Sequence, residues 1–296
     1  MVNQKPIFDC MQLCLQFILE TKGIKSPLIS SNNFFFYFNN SSEIFTDNIQ
    51  LNYDDKKYII NDSLWIRLQE QDVSAFNMID APLIIKCDIR KCHWVNRFHN
   101  MIFHLFLVTN FDEHFYRVID PYFNQKLLVK KSDLFKIAGS QTEIEYHHLD
   151  MQNMGCVLLE SLVFYRDHFS DSIKMFLSAL KHNLIEVFQR NDLNTMAEEP
   201  LIRKVGLLSN YRLQYKRMLE VLQNDIKRDS TDIIQDLDYL HQRWKRVYLL
   251  ITKSLIRNGT EGNENENNTI AFYFESTFEE EYKVLGKLIT LYEGIL

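Results

Sequence analysis

The period of the hydrophobic pattern changes near residue 150, and that change limits the folds open to this chain more than any other feature. Before it, apolar residues come in short aromatic or β-branched runs: FFFYF at 34–38, YII at 58–60, APLIIKC at 81–87, HLFLVTN at 104–110 and FYRVID at 115–120. Bounded runs of this kind read as strands. An amphipathic stretch at 9–21 adds one short helix ahead of them. Beyond about residue 155 the runs stop, and Ile173, Phe176, Leu177, Leu180, Leu184, Val187 and Phe188 recur at helical spacing. Tyr211, Tyr215, Met218, Leu219, Leu222 and Ile226 repeat the pattern, as do Ile233, Leu237, Leu240, Trp244, Val247, Ile251 and Leu255. Such spacing gives each helix one apolar stripe to bury. The low-complexity run NGTEGNENENNT at 258–269 precedes a last helix near 273–293. The expected fold is α+β over residues 1–150, followed by an all-α antiparallel helical bundle over 151–296, with no Pro/Gly/Ser linker at the junction.

Composition narrows the function classes. With 46% hydrophobic and 24% charged residues the chain is globular, and its length allows a sizeable core. It has 8 glycines and 5 prolines, and neither G-x-G-x-x-G nor G-x-x-x-x-G-K-[ST], so the common dinucleotide and P-loop nucleotide sites are excluded. The net charge of -6 argues against nucleic acid as a partner. Five scattered cysteines, at 10, 14, 87, 92 and 156, form no disulfide framework and suit a reducing cytoplasm. There is no leader-like opening and no apolar stretch long enough for a membrane span, so a cytoplasmic, non-membrane protein is expected.

The chemistry begins at the first helix. Asp9-x-x-Gln12 has the spacing of an N-terminal capping arrangement and makes Cys10 the first helical residue. A thiol there faces the positive end of the helix dipole, which is expected to lower its pKa by about one unit or more. Cys14, a turn deeper, reads as a small buried apolar residue. A nucleophilic thiol needs a base, and His104 opens one strand while Asp120 closes the next. A hairpin turning at Phe111-Asp112-Glu113 places His104 directly opposite Asp120, a carboxylate set to orient an imidazole. That pairing depends on register, since a slip of one residue flips every side chain to the other face. A zinc site at Cys87, Cys92, His93, His99 and His104 is disfavoured, because no C-x-x-C or H-x-x-x-H pair is present. His114, His147 and His148 read as turn or surface residues.

These residues resemble a known family. Gln4, then Cys10, then a helix ending at Gly23 (Q-K-P-I-F-D-C-M-Q-L-C-L-Q-F-I-L-E-T-K-G) resembles the opening of papain-like cysteine peptidases that cleave double-glycine leaders. The interval from His104 to Asp120-Pro121 looks like that family's His...Asp-Pro hairpin. A closer resemblance is to the butirosin-biosynthesis acyltransferase H type of domain. It rests on the aromatic run Phe34 to Phe38, the segment P-L-I-I-K-C-D-I-R-K-C-H-W leading to F-H-N-M-I-F-H-L-F-L-V-T-N-F-D, and a helical extension carrying Trp244. The resemblance implies a papain-like catalytic domain with Cys10 as nucleophile, His104 as base, Asp120 as its orienting group and Gln4 in the oxyanion hole. It further implies transfer of an acyl or aminoacyl group from a carrier-protein thioester to a small-molecule amine of a specialised-metabolite intermediate. No cofactor is expected on the chain itself, since the acyl group would arrive on a phosphopantetheine arm of an acyl or peptidyl carrier protein. Docking of the acidic carrier would fall to basic residues among Arg203, Lys204, Lys216, Arg217, Lys227, Arg228, Arg243 and Arg246, each of which also reads as part of a solvated helix face. Met11 stands where the peptidases place glycine, which separates this chain from them. A peptidase or thioesterase, and a non-catalytic binding module on the same fold, are the alternatives.

Overall fold

The computed structural model describes residues 9–24, 30–31, 34–39, 49–51, 57–61, 63–73, 82–95, 103–149, 151–189, 200–226, 228–258 and 264–295. The architecture is α+β, an antiparallel sheet followed by a helical part. In chain order the first part contains α1 (Cys10–Thr21), β1 (Ser30–Ser31), β2 (Tyr37–Phe38), β3 (Ile49–Gln50), β4 (Lys57–Asn61), β5 (Leu64–Asp72), β6 (Leu83–Asp88), β7 (Phe103–Asn110), β8 (Phe115–Asp120), β9 (Gln125–Lys130), α2 (Lys131–Ile137) and β10 (Ala138–His148). Eight strands form one sheet in the order β1-β4-β5-β10-β6-β7-β8-β9, every neighbouring pair antiparallel. The short β2 and β3 pair separately.

Alternation along the strands gives the sheet two buried faces. On one, Ile84, Leu107 and Ile119 meet Cys14, Leu15, Ile18 and Leu19 of α1. On the other, Ile85, Phe106, Val118 and Val129 meet Cys92 and Leu134, the latter from α2. Strands β5 and β10 carry no aromatic or β-branched run and are not legible as such in the sequence. They pair over nine residues, and on their exposed side Gln69 and Gln71 donate to Glu145 and Glu143 at 2.8 and 2.6 Å. His147 and His148 fall in β10 and not in a turn; His148 is exposed at the surface, and His147 is half-buried and stacks on Trp65 with ring centroids 4.2 Å apart. His114 lies in the exposed turn before β8.

The second part is α3 (Met151–Gln189), α4 (Pro200–Ile226), α5 (Thr231–Asn258) and α6 (Glu264–Glu293). The low-complexity run therefore ends inside α6, whose first turns are built from its polar residues. Contacts run in opposite senses along each packed pair: Tyr165 and Phe176 of α3 meet Glu281 and Phe274 of α6, and Arg246 and Ser254 of α5 meet Tyr273 and Glu266 of α6. Lys216 of α4 likewise pairs with Asp238 of α5.

The aromatic run at 34–38 departs from its expected place. It contributes only two residues to a strand, and Phe34, Phe35, Phe36 and Phe38 join the helical core with Tyr165, Phe176 and Phe278. Four phenylalanine or tyrosine rings with apolar side chains on both sides cannot sit on a one-faced strand, and the helices supply the second wall. A segment before residue 150 is thus integral to the helical core.

At the centre of that core Glu281 and Arg212 are both fully buried and ion-paired through Arg212 Nη2, and Arg212 Nε donates to Glu281 at 3.2 Å. Tyr165 O–H and Trp244 Nε1–H each donate to the same carboxylate at 2.7 Å. The guanidinium lies 4.2 Å from the Phe34 ring centroid. A buried charge pair is tolerated only when its remaining hydrogen-bonding capacity is met, and here residues from α3, α4, α5 and α6 meet it.

Candidate functional site

Helix α1 starts where the sequence places it. Asp9 Oδ1 accepts from the Gln12 amide at 2.8 Å and Gln12 Oε1 accepts from the Asp9 amide at 3.1 Å, a reciprocal capping box. At the other end Gly23 has φ +71°, its N–H reaches Glu20 O, and Ile24 N–H reaches Leu19 O at 2.9 Å. This is a Schellman termination requiring glycine at that position. The helix therefore has a fixed start and a fixed end, with Cys10 at its first position.

Cys10 is partly exposed, and Cys14 is completely buried with Sγ 3.7 Å from Leu105 O. Burial above all, and then the neighbouring Asp9 charge, push the Cys10 thiol up to about 12. The amides of Leu105 and Met11 and the charge of Arg203 act the other way without prevailing. The expected lowering by the helix dipole is thus overturned: the capping carboxylate lies against the thiol, and desolvation outweighs the amides.

His104 and Asp120 are brought together. Both are fully buried, with His104 Nε2 2.7 Å from Asp120 Oδ2. Trp94 Nε1–H donates to the same oxygen at 3.1 Å and the Phe123 amide donates to Oδ1 at 3.1 Å. Among the described residues, His104 Nδ1 is buried without a hydrogen-bond partner. The rings of Phe106, Tyr122 and Phe123 surround the imidazole, the nearest centroid at 5.0 Å.

The register behind this contact differs from the simple hairpin. Leu107 pairs with Ile119 and Asn110 with Tyr116, which moves the centre of the turn one residue later. The cause is Asp112, whose Oδ1 accepts the amides of His114 and Phe115 at 2.7 Å each and folds both into the turn. Asp120 is therefore diagonal to His104 and not directly opposite. A displacement of two residues conserves the face, so the side chains still meet.

Alternation also separates the dyad from α1. His104 shares its face with Phe106 and Cys87, whereas Leu107, the neighbour of α1, points to the other. Cys10 meets the backbone of Leu105, the residue after His104. No Cys10–His104 hydrogen bond is present among the described residues. Gln4 lies outside the described residues.

Several neighbours of the site were not legible beforehand. Trp94 sits in a short polar turn without periodicity. Tyr211 and Gln214 belong to α4, far along the chain: Tyr211 O–H donates to Asp9 Oδ2 at 3.0 Å, and the side-chain amides of Gln12 and Gln214 exchange hydrogen bonds of 2.8 and 3.2 Å. The available signal was polarity in an apolar stretch, since Arg212 and Gln214 interrupt the buried face of that helix. Of the basic residues considered for docking, Lys204 is tied to Ile49 O, Lys216 to Asp238, Arg243 to Ser276 and Arg246 to Tyr273. Arg203 acts on Cys10 and Asp9, and Lys227 lies outside the described residues.

Cys87 and Cys92 lie with their sulfurs 3.0 Å apart beneath the dyad, and among the described residues no three metal-ligating side chains gather. No described helix is long and apolar enough to cross a membrane. Compared with models of protein families, with curated proteins and with solved structures, the chain matches none.

Proposed function

We propose that the chain is a cysteine-dependent acyltransferase with a papain-like N-terminal domain, moving an acyl or aminoacyl group from a carrier-protein thioester to the amine of a small molecule. The observation that carries this reading is the buried His104–Asp120 dyad, which commits Nε2 to the carboxylate and leaves Nδ1 without a partner. Such an imidazole is oriented, held in one tautomer and able to take a proton. The thiol at the start of α1, beside the Leu105 backbone, is the donor that the resemblance points to.

In this mechanism Cys10 rests as the neutral thiol, in keeping with its raised pKa. As its sulfur attacks the thioester carbonyl, its proton passes to His104 Nδ1, a transfer that requires the start of α1 and the start of β7 to come within hydrogen-bond reach. The carbon–sulfur bond to the carrier then breaks, and His104 returns the proton to the departing carrier thiolate. The acceptor amine attacks the Cys10 acyl-enzyme and gives its proton to His104; as the amide forms and the carbon–sulfur bond to Cys10 breaks, His104 passes that proton to the Cys10 sulfur and restores the neutral thiol. The Cys10 amide and Gln4 stabilise the oxyanion, one such donor contributing about 3 kcal/mol. The chain needs no resident cofactor for these steps, because the acyl group arrives on the carrier's phosphopantetheine arm.

Incubation with an acylated carrier protein, followed by intact mass spectrometry, tests the reading. An acyl adduct is expected on the wild type and not on Cys10→Ala; no adduct, or the same adduct on the variant, overturns it. Free acid released without any amine-dependent product would assign the site to a hydrolase. A non-catalytic binding module is the second reading. It is favoured by one observation, the high-lying Cys10 thiol without a hydrogen bond to His104.

A further inference from the structure

The two residues of the capping box on α1, Asp9 and Gln12, stand three apart, and each is held by a residue of α4 with the same spacing, Tyr211 and Gln214. Matched i,i+3 pairs on two helices lock their relative rotation as well as their separation, because each pair marks one face of its helix. Between these two residues, Arg212 enters the ion pair with Glu281 that ties four helices together. The start of the nucleophile helix is thereby fastened to the most constrained part of the helical half. Tyr211 donates to the Asp9 oxygen that the helix cap does not use, Oδ2, so the carboxylate is shared between the two halves.

We propose that Tyr211 is a positioning residue for Cys10: by holding the Asp9 carboxylate and drawing off part of its charge, it lets the helical half set the reactivity of the thiol. This rests on the reading of Cys10 as the nucleophile. Asp9 opposes ionisation of Cys10, and a hydrogen bond to a carboxylate reduces the charge its neighbour experiences. The other groups coupled to Cys10 are Cys14 on α1, Tyr58 on β4, Tyr122 after β8 and Arg203 on α4, with His104 behind the Leu105 amide on β7. Asp9 is hydrogen-bonded directly to a side chain of the helical half, through Tyr211.

The experiment is alkylation of Cys10 by iodoacetamide in the full-length protein, followed by peptide mass mapping across mildly to strongly alkaline pH. Asp9→Asn keeps a capping side chain and removes the charge, and is expected to accelerate alkylation at fixed pH by about tenfold, the effect of one pKa unit. Tyr211→Phe keeps the ring and its packing, and is expected to slow alkylation severalfold and move its pH profile upward. In the Asp9→Asn background the same Tyr211→Phe change is expected to have no effect, because there is no charge left to draw off. A Tyr211→Phe effect of equal size in both backgrounds overturns the proposal, as does an Asp9→Asn protein that reacts no faster than the wild type. The measurement requires no acyl donor. An enzyme that forms no acyl adduct but passes this cycle loses the functional reading while keeping the coupling, and the converse result does the opposite.

Discussion

Both halves of the molecule bury a carboxylate, and both satisfy it with a tryptophan indole. In the helical half Glu281 accepts from Trp244, Tyr165 and Arg212; in the sheet half Asp120 accepts from Trp94, the Phe123 amide and His104. The difference is in what remains open. Arg212 cannot give up its charge, and none of the Glu281, Trp244 or Tyr165 polar atoms is left unsatisfied, so the helical cluster can only hold. His104 Nδ1 is buried, and among the described residues nothing is bonded to it. An unsatisfied buried nitrogen costs about 1–3 kcal/mol, a cost that the Glu281 cluster does not carry. Two similar constellations thus differ among the described residues in that the one around Glu281 is closed and the one around Asp120 leaves a nitrogen open.

The sharpest way to break that comparison is to remove each carboxylate. Glu281→Ala strands a guanidinium in the core and is expected to cost about 3–5 kcal/mol, read by denaturant unfolding. Asp120→Asn keeps one acceptor oxygen, enough for either Trp94 or the Phe123 amide, which bond to different oxygens of Asp120. It is expected to cost less than about 2 kcal/mol while abolishing the acyl adduct. Equal losses of stability in the two variants would erase the distinction drawn between the clusters.

The tryptophans give a smaller and more direct contrast. Trp244→Phe and Trp94→Phe each delete one N–H donor to a carboxylate, a loss of about 1.5–3 kcal/mol for a charged acceptor. Trp244 is completely buried, whereas Trp94 is partly exposed and water can replace its donor. The Trp244 variant should therefore lie at the upper end of that range and the Trp94 variant below it. Only the Trp94 variant should slow acyl-adduct formation.

How far these clusters were legible in the sequence follows from how local their signals are. The α1 cap, Gly23 and the strands carrying His104 and Asp120 are written in contiguous residues, so spacing sufficed. The turn register was missed by one residue of turn, because Asp112 spends its side chain on two amides. Even so the dyad survived, since only a slip of odd length changes the face. Strand β5 alternates only over Ile66 to Leu68 before turning polar, and β10 is polar on both sides, with Ser140 and Thr142 buried and Glu143 and Glu145 in the outer ladder. The aromatic run at 34–38 looked like a strand because its composition suits one, and only the helices packed around it decide otherwise. The acidity of Cys10 was misjudged for a related reason. A helix start is a local feature, whereas desolvation depends on everything that folds over it.

The smallest expected effect joins the two regions most closely. Asp9→Ala removes the side-chain cap of α1 together with the acceptor of Tyr211, and an N-cap lost in this way costs about 1 kcal/mol. The same substitution removes the charge that holds the Cys10 thiol up, so the protein should become less stable and its thiol more reactive. Because the folded-state pKa of Cys10 is raised, wild-type alkylation should keep rising with pH beyond the ordinary thiol range toward about 12. In Asp9→Ala the rise should end sooner. Opposite signs for stability and reactivity in one variant would show that the carboxylate fastening the two halves also restrains the nucleophile, whereas a loss of both would reduce Asp9 to a helix cap.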